Sequence, residues 1–119
     1  MRAEPRRYYA HPSVIGMLAA AEGVVRSGVS AASHYQLDLV AVDEFEGYVH
    51  SSVLADLVDR LALDRYAERH NVVLRVVEDE FWPFDSDDEV APAPVVAVDL
   101  LEAGDGRSRR AAAPLLACP

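Results

Sequence analysis

The sequence predicts an α+β domain: a small β-α-β core, flanked by helices on its N-terminal side and closed by a C-terminal helical hairpin. Three observations carry this expectation. Residues 45–50 alternate, with Phe45, Gly47 and Val49 on one side and Glu46, Tyr48 and His50 on the other, the period of a strand. Residues 53–62 place Val53, Leu54, Leu57, Val58, Leu61 and Ala62 on one helical face and turn Asp56, Asp59 and Arg60 away. Residues 71–77 are Asn-Val-Val-Leu-Arg-Val-Val, an apolar run broken only by Arg75 and suited to a strand covered on both faces.

The remaining elements are read in chain order. Residues 1–10 carry Pro5, several charges and Tyr8-Tyr9 without a period, and are expected to form a flexible N-terminal arm. Residues 11–119 are expected to form a single α+β domain. Val14, Met17, Leu18, Ala21 and Val25 recur at spacings of three and four, which predicts a helix over 12–25 with Pro12 in its first turn. Ser27-Gly28 reads as a turn, and Ser30 as the N-cap of a short helix over 31–37. Residues 38–44 read as an acidic loop or short strand. Ser51 or Ser52 is expected to cap the amphipathic helix. The two strands around it can pair in parallel or in an antiparallel split arrangement; the span between them permits a crossover. Residues 78–94, with three prolines and seven acids, read as loop. Residues 95–103 form a compact apolar helix candidate. Gly104 then suits a C′ position and Asp105 an N-cap for a last helix through Ala113, beyond which Pro114 limits continuation.

Composition bounds the function. The chain has 119 residues, 51% of them hydrophobic, which suits one domain with one core. Its formal net charge of −9 is unevenly placed. Residues 38–106 hold eighteen acids against four Arg, whereas residues 1–37 and 107–119 are each net basic. A strongly acidic middle repels phosphate backbones and disfavours nucleic acid there. It fits solubility or a basic partner. All eleven basic residues are Arg, which together with abundant Ala, Val and Asp points to a GC-rich bacterial source. Cys118 is the single cysteine, so no intrachain disulfide forms; with no signal-peptide pattern and no apolar run of spanning length, a cytoplasmic location without membrane contact is expected.

Candidate chemistry is sparse. Asp85-Ser86-Asp87-Asp88-Glu89 resembles half a calcium loop, but an EF-hand loop wants Gly sixth and Glu twelfth, and Val90 and Val96 stand there. His11, His34, His50 and His70 show no zinc-face spacing. No phosphate-cradling glycine loop and no GxSxG elbow is present. No catalytic, cofactor or metal residues are therefore assigned. His50 with Asp56, and His34 with Asp38, are the pairs a small enzyme would need to bring together. Trp82 and Phe84, flanking Pro83, read first as an aromatic plug of the core and second as anchors for a partner. Arg107, Arg109 and Arg110 are the basic cluster of the second half; they read as surface pairs for Asp99 or Glu102, or as contacts to an acidic partner.

In order along the chain, Arg26-Ser27-Gly28-Val29-Ser30-Ala31-Ala32-Ser33-His34-Tyr35, Gly47-Tyr48-Val49 before a capped helix, residues 71–77, Trp82-Pro83-Phe84, Val96-Ala97-Val98-Asp99-Leu100-Leu101 and the Gly-Asp-Gly-Arg turn follow one another. This succession resembles the C-terminal region of AbiEi-type antitoxin/transcriptional regulators of type IV toxin–antitoxin systems, in an actinobacterial-like form. The resemblance covers residues 14–113. It implies a regulatory role without catalysis, beside a nucleotidyltransferase-like toxin. Such proteins join this region to an N-terminal winged helix that binds the promoter, and too few residues precede position 14 to hold one. Gln36 stands where the pattern has Gly, and Pro114 interrupts the last helix. The expected function is a bacterial antitoxin-like module acting by protein contact, with a cognate toxin or another protein as partner and with Trp82, Phe84, Arg107, Arg109 and Arg110 as contact residues. Two alternatives remain open: a small DNA-binding regulator that uses its basic N-terminal part, with residues 14–37 as an abbreviated helix-turn-helix, and a small enzyme.

Overall fold

A computed structural model describes residues 5–37, 39, 42–103 and 105–116. The architecture is mixed α+β, as expected. Four strands are described: β1 (Pro5–Tyr8), β2 (Val24–Arg26), β3 (Phe45–His50) and β4 (Val72–Val77). They form one sheet in the order β1-β4-β3-β2. The central pair β3–β4 is parallel, which resolves the choice the sequence left open. Both outer pairings are antiparallel. Helix α2 (Ser51–Arg60) is the crossover between β3 and β4.

The sheet separates two apolar clusters, and strand alternation assigns residues to them. Phe45 and Val49 of β3 and Val72 and Leu74 of β4 face a cluster with Leu18 of α1 (Ile15–Ala19) and Leu54 and Leu57 of α2. Tyr48 of β3 and Val25 of β2 face the other cluster, which contains Val96, Ala97 and Leu100 of α3 (Ala93–Ala103) and Ala111 and Ala112 of α4 (Gly106–Leu116). Both faces of the central strands are covered, which is why residues 71–77 lack the apolar–polar alternation of a half-exposed strand. The α3–α4 hairpin packs on one face, and its small Ala positions let the helices approach closely.

Several expectations need correction. Residues 5–8, read as part of a loose arm, form edge strand β1, paired with β4 from Pro5↔Arg75 to Tyr8↔Val72. Asn71 secures its end: its side-chain carbonyl accepts the Ala10 N–H at 2.8 Å, and its amide donates to the Ala10 carbonyl at 2.7 Å and to that of Asp43 at 3.0 Å. The predicted helix over 12–25 splits into a 3-10 turn, the five-residue α1 and strand β2. Gly23, at φ 78°, supplies the break, and the β2 backbone gains more by pairing with β3 than by prolonging a Gly-containing helix. The short helix over 31–37 is likewise absent: Gly28–Ala31 is a 3-10 helix followed by turns. Instead of capping, the Ser30 hydroxyl accepts the Glu46 N–H at 2.8 Å, just past the end of β2.

Ser51 and Ser52 do not cap α2. The helix begins at Ser51, which puts His50 at the cap position without a side-chain cap bond. A carboxylate from another segment takes that role, as Asp79 accepts the Ser52 N–H at 3.4 Å. Residues 78–94 are mostly irregular, with a 3-10 turn at Asp79–Phe81. Asp105 does cap α4, accepting both the Ser108 N–H and the Ser108 hydroxyl at 2.8 Å. α4 then continues through Pro114 to Leu116 rather than stopping at Ala113. Pro114 lies in the last turn and is exposed, so little of the hydrogen-bond ladder beyond it is lost. Gly104 and Cys118 lie outside the described residues.

Candidate partner-binding surface

Trp82 and Phe84 follow β4 through the Asp79–Phe81 turn. Phe84 is only 9% exposed and meets Tyr48 edge-on at 5.1 Å. Trp82 is half-buried over it, with ring centroids 5.3 Å apart in a T-shaped arrangement. The other side of Trp82 stacks on the His50 imidazole at 3.6 Å and 21°. The pair is thus the aromatic plug that the sequence suggested, closing the α3–α4 side of the sheet at the C-terminal ends of β3 and β4. Only Trp82 reaches the surface to an appreciable degree.

The same turn carries polar anchors. His50 Nδ1 lies 3.2 Å from Asp79, and Ser51 donates its hydroxyl to Glu78 at 3.3 Å. Hydrogen bonds from Ser52 lead in holding the Asp79 carboxyl below its ordinary value, with His50 adding to the effect. His50 and Asp56 do not form a dyad: Asp56 pairs instead with Arg60, one helical turn along α2, at 3.3 Å. Asp38, the suggested partner of His34, lies outside the described residues. Among the described residues no cluster of three or more His, Cys, Asp or Glu is placed to hold a metal.

Arg107, Arg109 and Arg110 stand exposed on the first half of α4. Their suggested partners, Asp99 and Glu102, turn toward Arg75 instead. Arg75 projects from β4 into the α3–α4 side, and only 4% of it is exposed. It donates to Glu46 at 2.9 Å and to Glu102 at 2.7 Å. Its Nε lies 3.4 Å from Asp99 but without hydrogen-bond geometry, so that contact is ionic only. Asp99, fully buried, accepts the Ser27 hydroxyl at 2.5 Å and faces the Tyr48 hydroxyl at 3.3 Å. Burial raises the Glu46 carboxyl above its ordinary value, while Arg75 pulls it down. Burial opposes the charge on Arg75, but Glu102, Asp99 and Glu46 together hold the guanidinium protonated. This network ties β3, β4 and α3 together. It is not legible in the sequence, since an Arg in a strand and acids at 46, 99 and 102 share no spacing.

Residues 14–37 contain no pair of helices that could act as a helix-turn-helix: α1 spans five residues and is followed by β2 and a 3-10 helix. The basic side chains of Arg6 and Arg7 are exposed on edge strand β1. A groove of about 680 Å³ runs between Ala19–Arg26 and residues 86–89 and is rimmed by Glu22, Asp87, Asp88 and Glu89. No helix among the described residues is long and apolar enough to cross a membrane.

No curated protein and no solved structure matches the chain significantly. A family model described as "Transcriptional regulator, AbiEi antitoxin, Type IV TA system" matches residues 10–117, which takes in β2, β3, β4, the aromatic plug, the Arg75 network and the α3–α4 hairpin. On that match the chain belongs to the AbiEi antitoxin family of transcriptional regulators from type IV toxin–antitoxin systems.

Proposed function

We propose that this chain is a non-catalytic antitoxin module that works by protein–protein contact in the cytoplasm, with a nucleotidyltransferase-like toxin as its partner. The observation that carries the reading is the family match over residues 10–117, which makes a regulatory role in a toxin–antitoxin system the starting point. The arrangement of side chains supports contact rather than chemistry. The titratable groups drawn together in the interior, Arg75, Glu46 and Asp99, pair with one another and brace the fold. In this proposal Trp82, supported from beneath by Phe84, and the exposed Arg107, Arg109 and Arg110 contribute to the partner surface. The test is co-expression with the toxin encoded beside it. The expected result is a complex that survives gel filtration, together with relief of toxicity. Separate elution with undiminished toxicity would remove the reading.

A second reading keeps DNA binding and rests on Arg6 and Arg7, exposed on β1. A gel shift on the protein's own promoter that weakens steeply with salt, and is lost in the R6S/R7S double variant, would support it. Retention of full binding by that variant would remove it.

A further inference from the structure

We infer that the α3–α4 hairpin is a lid that opens from the sheet as one unit, ahead of the rest of the fold, and that the buried charges of Glu46, Arg75 and Asp99 set how tightly it closes. The two apolar clusters divide unequally along the chain. Every residue of the cluster on the α2 side lies between Tyr8 and Val76, whereas the other cluster is completed by α3 and α4. α4 rests mainly on α3, and α3 on the Gly28–Ala31 3-10 helix and the sheet face beneath it. The hairpin follows the last strand and joins it through the largely irregular stretch 78–92. It can therefore leave the sheet without breaking any strand pairing, while the β-α-β core keeps its own apolar cluster. Contiguous supersecondary units of this kind open as cooperative wholes.

Charge makes the closure conditional. Glu46 and Arg75 belong to the sheet, and Asp99 and Glu102 to the hairpin. Closing brings the fully buried Asp99 to a guanidinium that Glu46 already engages at 2.9 Å. Arg75 thus serves two buried carboxylates from opposite sides of one interface, and those carboxylates repel each other. Glu102 reaches Arg75 as well, but its side chain is 43% exposed and water screens it. Ser27 and Tyr48 face Asp99 as neutral hydroxyls, and the Gly28–Ala31 helix brings no charged residue. Arg107 and Asp105, at the start of α4, act on Glu44. Burial and the nearby Asp99 hold Glu46 above its ordinary value, against the pull of Arg75. Opening takes Asp99 away and admits water, so Glu46 binds its proton more tightly in the closed state. Closure is therefore strongest in acid and weakens as the pH rises through the closed-state value of Glu46.

The test is amide hydrogen exchange of the full chain, followed by mass spectrometry at neutral and mildly acidic pH and corrected for intrinsic rates. The amides of α3 are expected to exchange about 30-fold faster than those of β3 and β4, in step with α4. That ratio is expected to shrink about threefold at mildly acidic pH. Glu46→Gln, permanently neutral, is expected to keep the early opening and lose its pH dependence. Asp99→Asn, which removes the repelling charge from the hairpin side, is expected to flatten the pH dependence too, and decides the matter if Glu46→Gln does not fold. Exchange of α3 in step with β3 and β4 would overturn the lid, as would early exchange confined to α4. Early opening that ignores pH, or that keeps its full pH dependence in these variants, would overturn the control by charge.

Discussion

Replacing Arg75 with Met tests whether the buried charge network braces the sheet against α3. The guanidinium faces two carboxylates that water cannot readily reach: Asp99 is fully buried and Glu46 is 8% exposed. Glu102 is different, because its side chain is 43% exposed and can turn to solvent. Met fills most of the volume but leaves Glu46 and Asp99 without the positive charge. Breaking a buried pair by removing one partner costs about 3–5 kcal/mol. Against a domain stability of about 5–15 kcal/mol, that is a large share. The cost also depends on pH in a defined direction. Burial already raises Glu46 above 4.5, and Arg75 restrains the rise. A carboxyl raised on folding supports the fold below its unfolded value and loses that contribution as pH climbs through its folded value. Without Arg75 the folded value climbs further, so the variant's deficit is largest at neutral pH and shrinks as the pH is lowered toward 4.5. The assay is urea unfolding followed by Trp82 fluorescence and far-ultraviolet circular dichroism, at neutral and mildly acidic pH. If the variant is unfolded at neutral pH, the double variant R75M/E46Q, which removes one of the stranded charges, is expected to recover part of the loss. A deficit below about 1 kcal/mol that does not change with pH would refute the bracing role.

Three further outcomes follow from local geometry. Gln36 is exposed and holds φ 57°, a region that costs a non-glycine residue about 1–2 kcal/mol, so Gln36→Gly is expected to raise stability in urea by about 1 kcal/mol after the added chain entropy of glycine; no gain would contradict this. Gly28 holds φ 50°, and a Cβ there would overlap the Glu46 carboxylate, so Gly28→Ala is expected to lose about 2–4 kcal/mol by the same assay; a urea midpoint equal to wild type would contradict it. Asp79, lowered on folding by its hydrogen bonds from Ser52, supports the fold above its ordinary value of 3.8 and loses that support as pH falls through its lowered folded value; the melting difference between wild type and Asp79→Asn is therefore expected at neutral pH and to vanish in strong acid.

The parts of the fold that were legible in the sequence are those whose pattern is long enough to be periodic. β3, α2, β4 and the α3–α4 hairpin each span at least six residues, and their apolar positions are largely buried, although Glu46, Arg75 and Asp99 are buried with them. β1 and β2 span four and three residues, too few to alternate visibly. Val25 of β2 also continued a helical spacing begun at Val14, and only pairing with β3 decides the matter. Gln36 was marked in the sequence as a place where a glycine is expected, and its positive φ supplies the physical reason. Trp82 and Phe84 are legible as a plug from residue type, whereas the exposure of the neighbouring Phe81 depends on how its turn is anchored. The Arg75 network was illegible for a related cause: its members come from β3, β4 and α3 and meet only once the sheet has formed.

The position of β1 sets the order in which the chain can be completed during synthesis. Its pairing partner β4 begins at Val72, far along the chain from Tyr8. At about 5–20 residues per second, the first strand waits several seconds with its hydrogen-bonding groups unpaired. Pro5 has no N–H to offer and Arg6 and Arg7 repel a like strand, so a nascent chain carries its own protection against joining a neighbour on the same message. The last strand of the sheet to be made is the one that gathers in the first.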